Sequence, residues 1–182
     1  MAADPARAAP DPLLAARRGL DLVVGAVSCT LLSLLVVVLV WQVVSRYALN
    51  APSTSSEEIL RYGVIWMSLL GAAYASGRGS HMTVDLLRDR LTGRARLWLD
   101  GAVAVAFIVF ALAVLVVGGG RAVEIAARQT SAVLQLPMGW VYAALPVSGG
   151  LMILYNLLNL ADLLRGRTHH AVSEAQAALM GE

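Results

Sequence analysis

Apolar residues run almost without interruption over four stretches of the chain. The first extends from about Leu22 to Val44 and contains the block Leu31–Val40, in which Ser33 is the single polar residue. The second runs from about Ile59 to Ser76, the third from about Leu97 to Val117 and the fourth from about Trp140 to Leu160. A hydrocarbon core about 30 Å thick takes roughly 20 residues of helix to cross, so the pattern predicts four transmembrane helices, the second near the lower limit of length. Pro146, Gly149 and Gly150 interrupt the fourth. Membrane helices tolerate such residues, which either kink the helix or let a neighbour approach closely.

The remaining residues form tails and loops, none long enough to fold alone, since an unaided soluble domain needs about 40 residues. The pattern divides the chain into a polar, Ala/Pro/Asp-rich tail over 1–19, expected to be disordered, a membrane domain over 20–164 and a second polar tail over 165–182. The first apolar run is far longer than the roughly 7–15 residues of a signal-peptide core, so it reads as a retained span.

Composition agrees. Of the 182 residues, 58% are hydrophobic and 14% charged, against about 25% charged in an average soluble domain, and the mean hydropathy is +0.70. The net charge of +2 does not mark a nucleic-acid binder, because every basic residue is an arginine and no run of them forms a patch. Their placement marks topology instead. Arg7, Arg17, Arg18, Arg78, Arg88, Arg90, Arg94, Arg96, Arg165 and Arg167 fall on one side of the predicted spans, and Arg46, Arg121 and Arg128 on the other. By the positive-inside rule both termini and the middle loop are expected to be cytoplasmic. The fold class expected is an all-α integral membrane protein with four spans, N-in and C-in.

Several polar clusters are candidates for function. Thr54 with Glu57 and Ser55 with Glu58 both match the capping box that opens a helix, and Glu57 and Arg61 stand at the favourable i,i+4 ion-pair spacing. A well-capped helix start accounts for these residues; contact with a partner helix or a periplasmic protein is the alternative. Arg46 and Tyr47 close the first span as interfacial anchors, with Arg46 also within reach of Glu57 or Glu58 across a short loop. In the middle loop Val84, Leu87 and Leu91 recur at helical spacing among charges, which predicts a short amphipathic helix lying in the membrane interface against phospholipid headgroups. His81 and Asp85, one helical turn apart, read as a hydrogen-bonded pair and not as a metal site, for no second set of ligands occurs. Arg121, Glu124 and Arg128 predict a helical extension of the third span. Beyond them, Pro137 ends a loop and Trp140 and Tyr142 fall at an interface belt.

No reaction can be assembled from this chain. The three histidines lie outside the spans, where they cannot ligate a membrane haem, and a chain without lysine has no Walker motif. No metalloprotease or nucleophile-elbow motif occurs, and no carboxylate is expected deep within a span, where an autonomous ion-coupled carrier would place one. The chain is therefore not read as an enzyme, and no cofactor or metal is assigned to it.

Taken in order, Arg46-Tyr47, Glu57-Glu58-x-x-Arg61, Gly71-Ala72, Gly79-x-His81-x-x-Val84-Asp85, and Leu136-Pro137-Met138 with Tyr142 and Pro146 resemble the small membrane subunit of tripartite ATP-independent periplasmic (TRAP) transporters. The resemblance covers about Leu20 to Leu164. One departure is Ser55, where the family often carries a tryptophan. The resemblance implies a scaffold beside a large multi-span subunit that carries substrate and sodium, supplied by a periplasmic binding protein with an organic acid such as a C4-dicarboxylate. It also implies that Arg46, Glu57, Glu58, Arg61, Gly79, His81, Asp85, Pro137, Tyr142 and Pro146 serve partner contacts or structure. A stand-alone oligomeric carrier or channel is the competing reading.

Overall fold

The computed structural model describes residues 12–51, 53–77 and 94–164, and they are almost entirely helical. Helix α1 spans Pro12–Tyr47, α2 Thr54–Gly77 and α3 Arg94–Phe110. The third apolar run then continues through a π-helical segment, Ala111–Gly118, into α4, Gly119–Ala126. After a loop come α5, Met138–Tyr142, and α6, Ala144–Leu164.

Among the described residues, three helical runs are long and apolar enough to cross a membrane: Leu13–Tyr47, Trp98–Ala126 and Met138–Leu164. The stretch expected as the second span, α2, is not among them. Its 24 residues include Arg61, Tyr62, Trp66, Tyr74 and Ser76, and these polar and amphipathic side chains dilute its apolar character. It nevertheless occupies the middle of the bundle, packed on α1 along one side and on α6 along the other. α6 in turn packs on α2, α3 and the π-helical segment.

Several boundaries differ from those the apolar pattern predicts. Helix α1 starts at Pro12, so residues 12–19 belong to it and not to a polar tail. Proline suits a first helical turn, where its missing N–H would have had no partner. At α2, the capping boxes expected at Thr54 and Ser55 are replaced by Ser53, whose hydroxyl accepts the Ser56 N–H at 3.4 Å and lies 2.8 Å from the Ser56 hydroxyl. The fourth span is broken after Tyr142. Pro146 cannot supply the amide that would bond the Tyr142 carbonyl, and its ring crowds that position, so α5 ends and α6 restarts one residue later. The middle-loop helix expected around Val84–Leu91, with Gly79, His81 and Asp85, lies outside the described residues.

The core is built on small residues. Ala73, Ala111, Leu115 and Met152 form its buried centre, with Phe107, Leu145, Leu151 and Ile153 packed around it. In lipid, apolar surface alone does not drive helices together, and close contact through small residues does. Gly149 shows why: a Cβ there would lie 2.7 Å from the Leu115 Cβ and 3.3 Å from the Ala111 carbonyl oxygen. The π-helical segment, whose wide turn is marked by the Gly119 N–H reaching back five residues to the Val114 carbonyl, thus rests directly on the α6 backbone. Pro146 packs at the same seam, where a Cβ on Gly119 would lie 3.0 Å from its Cδ. Most other apolar side chains of α1, such as Val23, Val37 and Val40, face outward.

Gly149→Val is expected to force this seam apart and to destabilise the protein by about 1–3 kcal/mol. Gly150→Ala, which meets open space, is expected to cost nothing. Thermal unfolding of the two purified variants in detergent checks the contrast.

Candidate functional site

Polar side chains gather at the two ends of the bundle. At the end where α1 begins and α2 and α6 finish, Arg17 is buried among three helices. Its guanidinium donates to the Asp162 carboxylate at 3.2 Å and to the Gly77 carbonyl. The second contact satisfies one of the last carbonyls of α2, which no helical amide can reach, and places a cation at the negative end of that helix. One turn further along α1, Asp21 accepts the Tyr155 hydroxyl at 2.9 Å. The Tyr155 ring lies so close over Gly77 that a Cβ there would overlap it.

The same seam continues along α6. Asn156 donates to the Ser76 hydroxyl at 2.7 Å and to the Met152 carbonyl at 2.9 Å, and Asn159 donates to the Ser76 carbonyl at 3.4 Å. Burial of Arg17 and Asp162 is close to complete, at 6% and 9% side-chain exposure. Asn159 Oδ1 and Asp162 Oδ1 are buried without a hydrogen-bond partner.

None of these residues was singled out from the sequence except Arg17, counted there only as a topology charge. The expected span limits, Leu22 and Leu160, stop just short of Asp21 and Asp162 and leave both outside. The helices run past those limits and carry Asp21 and Asp162 inside the apolar runs. A signal was present: Ser148, Met152, Tyr155, Asn156, Asn159 and Asp162 recur at three- and four-residue spacing and form the buried face of α6, the pattern of a polar stripe aimed at other helices.

At the opposite end Glu58, just past the first turn of α2, is buried against the loop between α4 and α5. Its Oε2 accepts the Ser131 hydroxyl and the Leu134 N–H, each at 2.9 Å, and its Oε1 accepts the Val133 N–H at 3.2 Å. The loop closes through Ser131 N–H to the Leu136 carbonyl and Met138 N–H to the Gln129 carbonyl, both 2.9 Å, with an antiparallel bridge between Thr130 and Pro137. Pro137 then precedes α5 as its N-cap. Nearby, the Trp66 indole donates to the Trp140 carbonyl at 3.3 Å, a second tie between α2 and α5. The Leu134 N–H, with the Ser131 hydroxyl and the Val133 N–H, holds the Glu58 carboxyl below the usual carboxylate range, against desolvation, which pushes it up.

The adjacent pair behaves differently. Glu57 and Arg61 lie 3.9 Å apart, both about two-thirds exposed, a geometry that contributes at most about 1 kcal/mol. Glu57, Glu58 and Arg61 therefore do not make one surface, for Glu58 turns inward and the other two face out. Arg46 lies over its neighbour Tyr47, 6.0 Å from the ring centroid, while the Glu58 oxygens are taken by the loop. Arg121 and Glu124 are exposed on α4 and Arg128 lies just beyond its end. Trp140 and Tyr142 face outward, as an interface belt requires.

Two predictions follow from these ends. Asp162→Asn leaves the Arg17 charge buried with a weakened partner and is expected to cost about 3 kcal/mol, with the paired Arg17→Met/Asp162→Leu replacement closer to wild type than either single change; unfolding of the purified variants measures both. For Glu58 the sign follows from its lowered native value: the contribution to stability is complete above the unfolded-state value of about 4.3 and falls as pH drops through the native value. Glu58→Gln is expected to remove this acid-dependent component, read as a flatter stability profile below pH 5 or so.

No group of three or more histidine, cysteine, aspartate or glutamate side chains able to hold a metal occurs among the described residues. With the geometry in place, the relatives are informative. The sequence profile of the DctQ component of tripartite ATP-independent periplasmic transporters matches residues 35–166. The chain is similar to the sialic acid TRAP transporter small permease protein SiaQ of Vibrio cholerae, with 34% identity over 143 residues, covering 77% of this chain and 82% of SiaQ. It is also similar to the isethionate TRAP transporter permease protein DctMQ of Oleidesulfovibrio alaskensis, with 36% identity over 118 residues, covering 63% of this chain but 18% of that much longer protein. A bundle with three membrane-length apolar runs, tied off at both ends by its own polar side chains and matched over most of its length by these sequences, belongs to the DctQ family of TRAP transporter small permease subunits.

Proposed function

We propose that this chain is the scaffolding subunit of a binding-protein-dependent secondary transporter for an organic acid, holding a large multi-span subunit at a fixed depth and tilt. The observation that carries this reading is the use the chain makes of its own ionisable groups. Arg17 is spent on Asp162 and Gly77, Asp21 on Tyr155, and Glu58 on the 131–134 backbone. The grooves along the bundle support it further. One of about 430 Å³ between α1, α2 and α6 is lined by Leu20, Val24, Leu31, Gly63, Leu70 and Leu151 among others, with no charged side chain. A solute carrying a carboxylate, or a sodium ion, would find no counter-charge there. Substrate and sodium sites belong to the large subunit on this reading.

Partnership with a large subunit is supported by DctMQ, in which the region similar to this chain is less than a fifth of the protein. The names of the two relatives point to two chemically different organic anions, sialic acid and isethionate. A scaffold whose own solute contacts are nil is compatible with either, and with a C4-dicarboxylate.

α2 is the fourth span in this reading, since it packs between α1 and α6 from Glu58 at one end to Gly77 at the other. With four antiparallel helices the Arg17–Asp162 end faces the cytoplasm, in keeping with the arginine distribution, and the Glu58 loop faces the periplasm. Glu57 and Arg61, exposed at that outer end, are then the side chains available to the binding protein or the large subunit.

The test is recovery of the tagged chain from native membranes. Co-purification of a large multi-span protein is expected, and the chain reconstituted alone in liposomes is expected to move no organic acid. Recovery without such a partner, or solute movement by the chain alone, would overturn the proposal in favour of a self-sufficient carrier.

A further inference from the structure

The loop between α4 and α5 is shaped around an anion. Its own main-chain bonds close only the mouth, through the Ser131–Leu136 and Gln129–Met138 pairs. Inside the mouth the Val133 and Leu134 amides, adjacent in sequence, both turn toward the same carboxylate. The Ser131 hydroxyl joins them as a third donor and itself accepts the Leu136 N–H at 3.3 Å. Just past the two amides Gln135 takes a left-handed conformation, φ 53°, where the chain turns back toward the Leu136 and Pro137 side of the loop. Successive N–H groups turned toward one anion form an anion-binding nest. Its occupant comes from far away in the chain, on another helix.

The fit is that of a carboxylate in particular. The Ser131 hydroxyl and the Leu134 N–H meet Oε2 while the Val133 N–H meets Oε1, so the donors are spread over the two oxygens of a carboxylate and are not aimed at one centre. Glu58 and Ser131 are largely shielded, at 8% and 4% exposure, although Val133 itself is exposed. Cutting the Glu58 side chain back would leave two amides and a hydroxyl facing a hole, and buried donors without acceptors are costly.

We propose that residues 131–136 form a carboxylate-binding nest for which Glu58 is the tethered occupant, so that a free small carboxylate such as formate or acetate fills it once the Glu58 side chain is removed. In the native chain the tether gives Glu58 a high effective concentration, and free carboxylates stay out. The inference concerns this chain alone and stands apart from the assignment of a large partner.

Amide hydrogen exchange at Val133 and Leu134, read on the full-length chain in detergent, tests it. Glu58→Ala is expected to speed exchange at both amides by about tenfold or more. Sodium formate is expected to slow it again, whereas sodium chloride at the same ionic strength is not. Wild type is expected to respond to neither salt. Glu58→Gln, whose amide keeps the hole filled but offers a single acceptor oxygen, is expected to lose protection without responding to formate. Wild-type protection in Glu58→Ala, or equal effects of formate and chloride, would overturn the proposal. Should Glu58→Ala fail to insert, wild-type protection in Glu58→Gln would do the same.

Discussion

A single buried guanidinium ties three helices together at one end of the bundle. Arg17, near the start of α1, reaches the last carbonyl of α2 and the carboxylate of Asp162 at the end of α6. In a bundle whose helices contact one another through apolar and small side chains, such surfaces have little preference for one axial position over another, because lipid competes equally for them. Directional bonds between buried polar groups do have such a preference, and leaving one unmade is expensive. The Arg17 contacts therefore set the register of α1 and α6 relative to α2, and the Tyr155–Asp21 and Asn156–Ser76 bonds, made by adjacent residues of α6 about two turns before Asp162, support the same setting.

The other end is held by the complementary device. There a carboxylate on α2 gathers loop amides, where at the first end a cation on α1 gathers a helix carbonyl and a carboxylate. α2 takes part in both, through Glu58 and Gly77, and it is also the least apolar of the long helices. The two observations have one cause: a helix enclosed by its neighbours on two sides can carry polar groups that a lipid-facing helix could not. With both ends tied, the middle of the bundle can rely on Ala73, Ala111 and Gly149, whose smallness allows close approach but fixes nothing along the axis. This division of labour suits a subunit whose proposed role is to stay rigid beside one that moves.

Glu57 and Glu58 show how little sequence adjacency says about role. Both are carboxylates near the start of α2, and the capping-box pattern treats them alike. Helical geometry places them about 100° apart around the axis, so one faces solvent with Arg61 and the other faces the 131–134 loop. No local pattern could have announced that loop, because Ser131 lies 73 residues away and the chain between must first cross back and forth. Asp21 and Asp162 were missed for a different reason. Apolar runs end where charge begins, whereas helices end where caps and loops require, so charges that flank a run can still be helical and buried.

By itself, the sequence determined the material and the outline: long apolar helices, their approximate centres, an irregular fourth span marked by Pro146, Gly149 and Gly150, and family membership through a spaced series of short motifs. These follow from composition, from length and from local backbone chemistry, all of which act over a few residues. Only the tertiary structure decided which polar side chains are spent inside the bundle and which remain at its surface. That choice depends on pairings between helices far apart in the chain, and the penalty for an unpaired polar group is levied only once those helices have met.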